Sequence, residues 1–350
     1  MIIRDLEFYL LTMPFAAGTG ELRSLVVRLA SHVGIEGWGE ASGVKLQWDS
    51  LPPLRNRLLP VLMGRSVFDI EELVRLNLHV PKPIRFAIET ACWDMMGRLC
   101  KQPICHFLGG KYRNHVPMTV QLTGRTPKEL LTTSQELANR GYHWQTLTLT
   151  GRLADDLQLV KSLLEAAQHR VELRVDAAGL YHYDDCTKLL AAIEHSGVTL
   201  LVDPLCNATP QELSTLQKQT PIPLGVRQGI DSARDVLDLT PFDNLSWLIL
   251  EPQQLGGLLE MRKCADIAES AGRHCSVCSC FSRGPTTAAM IQLAAAMPAL
   301  SHGVHCFPEQ LETSILQETF DVSDGLLHLP HGPGIGREID RTKLEQALIA

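Results

Sequence analysis

From Val116 onward the chain repeats one unit: a short run of branched apolar residues, a polar or small-residue break, then a longer stretch with apolar residues at helical spacing. The apolar runs predict strands over 117–121, 144–150, 171–176, 199–203, 223–226, 247–251, 275–279 and 303–306. Between them the spacing predicts helices over 127–140, 154–167, 184–196, 210–217, 232–239, 258–271 and 285–296. Parallel strands need long crossovers, and helices supply them, so this alternation predicts a largely parallel barrel. The first hundred residues follow another pattern, with strands over 2–11, 23–30 and 35–40 and turns at Gly34 and Gly37-Trp38-Gly39. Helices follow over 51–62, 69–76 and 84–99, the last with Ile84, Ile88, Ala91, Cys92 and Met95 on one face. The alternation stops near Gly325, and the turn residues Pro330-His331-Gly332-Pro333-Gly334 follow. The division expected is an α+β domain over 1–112, a barrel over 113–324, and a closing segment, 325–350, that returns to the first domain.

With 350 residues, 45% of them apolar and 20% charged, the chain can bury a large core in one large domain plus a smaller one. A net charge of −7 argues against nucleic acid and anionic membrane as partners. No apolar run is long enough to span a bilayer, and Met1-Ile2-Ile3-Arg4-Asp5 lacks the features of a signal peptide. Ten cysteines in such a chain read as reduced thiols of a cytoplasmic protein. Three of them, Cys275, Cys278 and Cys280, lie close together, but no second pair completes a zinc site, so they read as buried strand residues.

The carboxyl ends of barrel strands carry the chemistry of such folds. Asp176 stands at one of them, where Val171-Glu172-Leu173-Arg174-Val175-Asp176 runs into Ala177-Ala178-Gly179. Two readings are open for it: a site carboxylate, or an N-cap for the next helix.

Four stretches resemble the enolase superfamily, in its mandelate racemase and muconate-lactonizing branch. They are Gly34-Ile35-Glu36-Gly37-Trp38-Gly39-Glu40-Ala41, Ala87-Ile88-Glu89-Thr90-Ala91-Cys92-Trp93-Asp94, Leu108-Gly109-Gly110-Lys111-Tyr112-Arg113 and His331-Gly332-Pro333-Gly334-Ile335-Gly336. The resemblance covers nearly the whole chain. It implies a modified (β/α)7β barrel of TIM type, closed by an α+β capping domain built from both chain ends. It also implies proton abstraction beside a substrate carboxylate, with Mg²⁺ on three carboxylates stabilising the enolate and a Lys or His as base.

Residue by residue, the resemblance is uneven. Thr146 and Thr148 stand where the family's second strand presents two lysines, and they read as substrate-binding positions at most. Asp176 and Asp203 occupy two metal-ligand positions, while Val226 stands near the third and cannot bind a metal. Glu251 falls where relatives carry a catalytic Lys or a supporting Asp, and Ser279 where one branch has its His. His305 lies near a substrate-contacting position and is the remaining acid/base candidate. Arg227 follows the lost ligand position. It is expected either to lie where the metal would be, paired with Asp176 or Asp203, or to point away. The loop Phe15-Ala16-Ala17-Gly18-Thr19-Gly20 is where the family's cap touches substrate.

So many departures in one site predict a divergent barrel that has lost the metal-assisted reaction and keeps a small-molecule cleft. No cofactor is favoured, and Mg²⁺ is the one the resemblance admits. The alternative is an active isomerase, cycloisomerase or dehydratase on a small carboxylate, using Asp176, Asp203, Glu251 and His305. A homo-oligomer is expected, with neither nucleic acid nor membrane as partner.

Overall fold

A computed structural model describes residues 1–12, 23–167, 170–278, 281–300, 302–307 and 313–348. Ser279, and the glycine loop expected to touch substrate, lie outside the described residues.

The amino-terminal sheet is an antiparallel meander of β1 (Ile3–Thr12), β2 (Arg23–Ser31) and β3 (Glu36–Val44). Helices α1 (Leu51–Leu62), α2 (Ile70–Arg75) and α3 (Lys82–Cys100) follow. Residues Phe86 to Gly97 of α3 are buried on every side, so this helix is a core element and not an amphipathic surface one. It can lie against β3 because Gly37 and Gly39 have no side chains. A Cβ at Gly39 would stand 1.9 Å from the Ala87 carbonyl oxygen.

The barrel begins with β4 (His115–Gln121) and continues through β5 (Trp144–Thr148), β6 (Glu172–Asp176), β7 (Val198–Val202) and β8 (Leu224–Val226). It ends with β9 (Trp247–Leu250), β10 (His274–Val277) and β11 (Val304–Cys306). All eight pair in parallel in chain order, and β11 closes on β4. Seven helical crossovers join them, which is the (β/α)7β arrangement. Leu200, Val202, Ile249 and Cys278 form a small apolar cluster inside the barrel, separate from the main core between strands and helices.

One feature near the end of the chain was not expected from the sequence pattern. A hairpin, β12 (Val322–Ser323) and β13 (Leu326–His328), adds antiparallel to the first barrel strand. The chain then reaches the first domain, where Ile104 N–H donates to Gly334 O at 2.9 Å and Thr12 N–H to Ala347 O at 3.1 Å.

Candidate active site

At the carboxyl ends of the barrel strands lies a cavity of about 550 Å³, whose wall includes Asp176, Arg227, Glu251, Cys278 and His305. Strand alternation explains how they meet. Residues two apart share a face, so Arg174 and Asp176, and Ser276 and Cys278, point inward in successive layers.

The guanidinium of Arg227 occupies the centre. Nη1 donates to Asp176 Oδ2 at 2.8 Å and Nη2 to Asp176 Oδ1 at 3.2 Å. Nη2 also lies 3.0 Å from Asp203 Oδ2. This is a forked contact to one carboxylate with a second beside it, an arrangement suited to a planar cation. Side-chain exposure falls from 22% for Arg227 to 11% for Asp176 and 3% for Asp203, so the cluster is screened only at its upper edge. The Arg227 side chain points inward because Val226, before it, faces the outer core.

Each carboxylate has further partners. Asp176 accepts the Ala178 N–H at 2.9 Å. It does not cap the next helix, α6 (Tyr183–Ile193), whose N-cap is His182. Asp203 sits in the left-handed backbone region at φ 45°, which Asp tolerates better than most residues. Its Oδ1 accepts the backbone N–H groups of Arg227 and Gln228 at 2.8 and 3.0 Å. Burial raises the Asp203 pKa against the opposing pull of Arg227 and those two N–H groups. Burial alone would lower Arg227, but Asp176, Cys278 and Asp203 outweigh it and hold the guanidinium firmly protonated.

These residues do not fit a divalent cation. Asp176 and Asp203 are both there, but the space between them holds a fixed positive charge, and the neighbouring Val226 packs in the outer core. Among the described residues no group of three or more His, Cys, Asp and Glu could hold a metal ion.

The other candidates are spread unevenly. Thr148 lines the cavity and accepts from Gln121 Nε2 at 3.2 Å. Thr146 is one layer lower, buried, with no hydrogen-bond partner for its hydroxyl. Glu251 reaches the cavity from the end of β9. His305 Nε2 meets Gln121 Oε1 at 3.0 Å, while its buried Nδ1 has no partner. Burial, with Arg174 and Arg227 adding to it, pushes His305 down to about 3. It is therefore neutral near pH 7 and a weak base, which counts against the acid/base work expected of it.

Three residues of the barrel interior and its mouth were given no site role in the sequence reading. Asp156 is buried and accepts from Thr150 N–H and Oγ1, each at 3.0 Å, and from the Tyr181 hydroxyl, tying two cavity loops together. Arg174 crosses the barrel interior to Ser276, Nη1 to Oγ 3.2 Å. Cys278 lies in the cavity wall. Inward alternation from Asp176 gives a signal for Arg174, and the same alternation carried one residue past β10 gives one for Cys278.

Comparison with known proteins places these observations. Residues 129–343 match the family model for the enolase C-terminal domain-like fold. Residues 10–109 match that for the mandelate racemase / muconate lactonizing enzyme N-terminal domain. Muconate cycloisomerase 1 of Rhodococcus opacus is 26% identical over 329 residues, 90% of this chain and 88% of that one. N-succinyl-L-Arg/Lys racemase of Bacillus cereus is 22% identical over 348 residues, 96% and 94% of the two chains. The crystal structure of 2-chloromuconate cycloisomerase from Rhodococcus opacus 1CP superposes with a TM-score of 0.89 at 23% identity, covering 99% of both chains.

Proposed function

The chain belongs to the mandelate racemase and muconate lactonizing enzyme branch of the enolase superfamily, and from that premise we propose that it is an isomerase moving a proton beside the carboxylate of a small acid, without a bound metal. Enzymes of this branch use Mg²⁺. The sequence had favoured a barrel emptied of chemistry, and the relatives give that reading no support. They include a cycloisomerase and a racemase, and they match nearly end to end. They favour the alternative of a working isomerase on a carboxylate substrate.

The observation that carries the reading is the Arg227 guanidinium, held between Asp176 and Asp203 at the base of a cavity able to admit a small acid. A preorganised cation in a partly dry site stabilises charge that develops on a carboxylate as its α-proton leaves. The two aspartates fix the guanidinium in place. Arg125 and Arg152 on the cavity rim add positive charge on the approach path. Glu251 stands opposite as a carboxylate able to orient a substrate hydroxyl or amide.

The test is proton exchange in D₂O. The protein is incubated with a panel of N-acyl amino acids, 2-hydroxy acids and unsaturated diacids, and the α-proton signal is followed by NMR with and without EDTA. Exchange or isomerisation that persists in EDTA is expected. Turnover abolished by EDTA would contradict the metal-free part, and a silent panel would contradict the isomerase reading.

A further inference from the structure

We propose that the amino-terminal end of the barrel holds a second binding site, in which Arg174 receives a small monocarboxylate with an apolar body.

A cavity of about 230 Å³ lies at that end, opposite the mouth. Its wall is made by the first residues of several strands, among them Trp144 of β5, Glu172 of β6 and Trp247 of β9. Arg174 and Thr119 line it from the next inward layer. The apolar cluster inside the barrel runs between the two cavities, with Leu200 lining this one and Cys278 the one at the mouth. β6 and β10 stand four strands apart in a closed barrel of eight, so the Arg174 side chain crosses the interior to reach Ser276, Nη1 donating to Oγ at 3.2 Å.

Among the described residues that is the one hydrogen bond the guanidinium makes, and no carboxylate lies within ion-pair distance of it. The contrast with Arg227, held by two aspartates, is direct. A guanidinium carries five donors in a planar fork, so most of them are left to the cavity. Burial lowers Arg174 to about 10, with Cys278 and Asp176 pulling the other way, so it stays charged near neutral pH. A charge held out of water without a partner is costly, and an anion in the cavity removes that cost. A second polar group points to the same occupant. Thr119 is only 4% exposed and lines the cavity, and among the described residues its hydroxyl has no hydrogen-bond partner.

The walls select the rest of the ligand. Trp144 and Trp247 come from β5 and β9, again four strands apart, and line the cavity from opposite sides. Trp247 is braced by the rings of His302 and His274, with centroids 4.3 and 5.2 Å away. Two indoles with Pro117 and Leu200 suit an apolar body, and the guanidinium fork suits a carboxylate. Burial, then His274, Arg174 and Arg113, pull His302 down to about 4, so it lines the cavity as a neutral ring near pH 7 and adds no second cation. Glu172, exposed at the rim, repels a further negative charge and favours a monoanion over phosphate. The site goes beyond the isomerase reading and needs no turnover.

Sodium benzoate is titrated into the full-length protein at neutral pH, with tryptophan fluorescence as the readout. Among the described residues the wall of the mouth cavity contains no tryptophan, whereas this one contains two. A saturable change at millimolar benzoate or below is expected. Arg174→Met keeps an apolar stem and should weaken binding at least about tenfold. Where that variant does not fold, Thr119→Val replaces it, with an expected loss of about threefold. No saturable change in the unsubstituted protein overturns the proposal, as does binding that the substitution leaves undiminished. A change that survives Arg174→Met but disappears in Arg227→Gln puts the benzoate at the mouth and also overturns it. Inorganic phosphate is titrated in parallel, and tighter binding of phosphate than of benzoate overturns the monocarboxylate assignment.

Discussion

The seam between cap and barrel and the mouth of the barrel treat buried carboxylates in opposite ways. At the seam, Glu40, Glu89 and Asp94 all lie fully out of water and are satisfied largely by backbone N–H groups. Glu40 accepts from Arg283 N–H at 2.6 Å and Ser24 Oγ at 2.5 Å. Glu89 accepts from Leu259 N–H at 2.9 Å and Trp93 Nε1 at 3.1 Å. Asp94 accepts from Trp38 N–H at 2.9 Å and Ile335 N–H at 2.8 Å, stapling the cap sheet to the closing segment, with Arg98 Nε at 2.9 Å as its cation. At the mouth, Asp176 and Asp203 converge instead on one guanidinium. The seam carboxylates hold backbone in place. The mouth carboxylates hold a charge at the edge of a space large enough for a ligand. A shared fold can thus preserve its joints while the chemistry at its open end changes.

The strongest way to break this contrast is Arg227→Ala. It leaves two carboxylates facing each other without their cation, and losing one partner of such a cluster costs about 3–5 kcal/mol at neutral pH. Urea denaturation should show that loss shrinking as the pH falls and Asp203, whose pKa burial already raises, takes up a proton. A loss below about 1 kcal/mol would mean that the pairing is a surface one.

The seam has its own signature in pH. Burial raises Glu89 to about 7, so the folded state keeps a proton that the unfolded chain releases near 4.5. Stability should therefore be greatest below about pH 4.5, fall by about 3 kcal/mol by pH 7, and be flat above that as far as this group is concerned. Glu89→Gln keeps an amide oxygen for both donors and should flatten that slope. An unchanged slope would assign the effect to Glu40 and Asp94, which burial also raises.

Two smaller changes sharpen the comparison. Gly39→Ala drives a methyl group against the Ala87 carbonyl and should cost about 1–3 kcal/mol by thermal unfolding without altering the mouth. Thr148→Ala removes one hydroxyl contact to Gln121 and should cost less than about 1 kcal/mol, its effect falling on substrate affinity.

The family likeness was legible in the sequence because its residues sit in unbroken stretches, Gly37-Trp38-Gly39-Glu40 and Glu89-Thr90-Ala91-Cys92-Trp93-Asp94, and the barrel because its period is long and regular; that Glu40, Glu89 and Asp94 form a buried seam was not read from them. The eight barrel strands fell within one or two residues of their observed positions, whereas β3 runs four residues past its expected end. The mouth was legible mainly by subtraction. Asp176, Asp203 and Arg227 could be placed at strand ends, but the direction of the guanidinium depends on which face Val226 takes in a three-residue strand, which no local pattern fixes. Cys278 was read only as a buried strand residue. Its burial is real, but one dimension does not show that it lines the same cavity as Arg227 from another strand. His305 was judged by its free pKa, and the drop to about 3 comes from burial and two arginines distant in sequence.

Calorimetric titration with Mg²⁺ tests the central claim most directly. With Arg227 seated between Asp176 and Asp203, no stoichiometric heat is expected up to millimolar Mg²⁺. Tight one-to-one binding that disappears in Asp176→Asn would contradict the account.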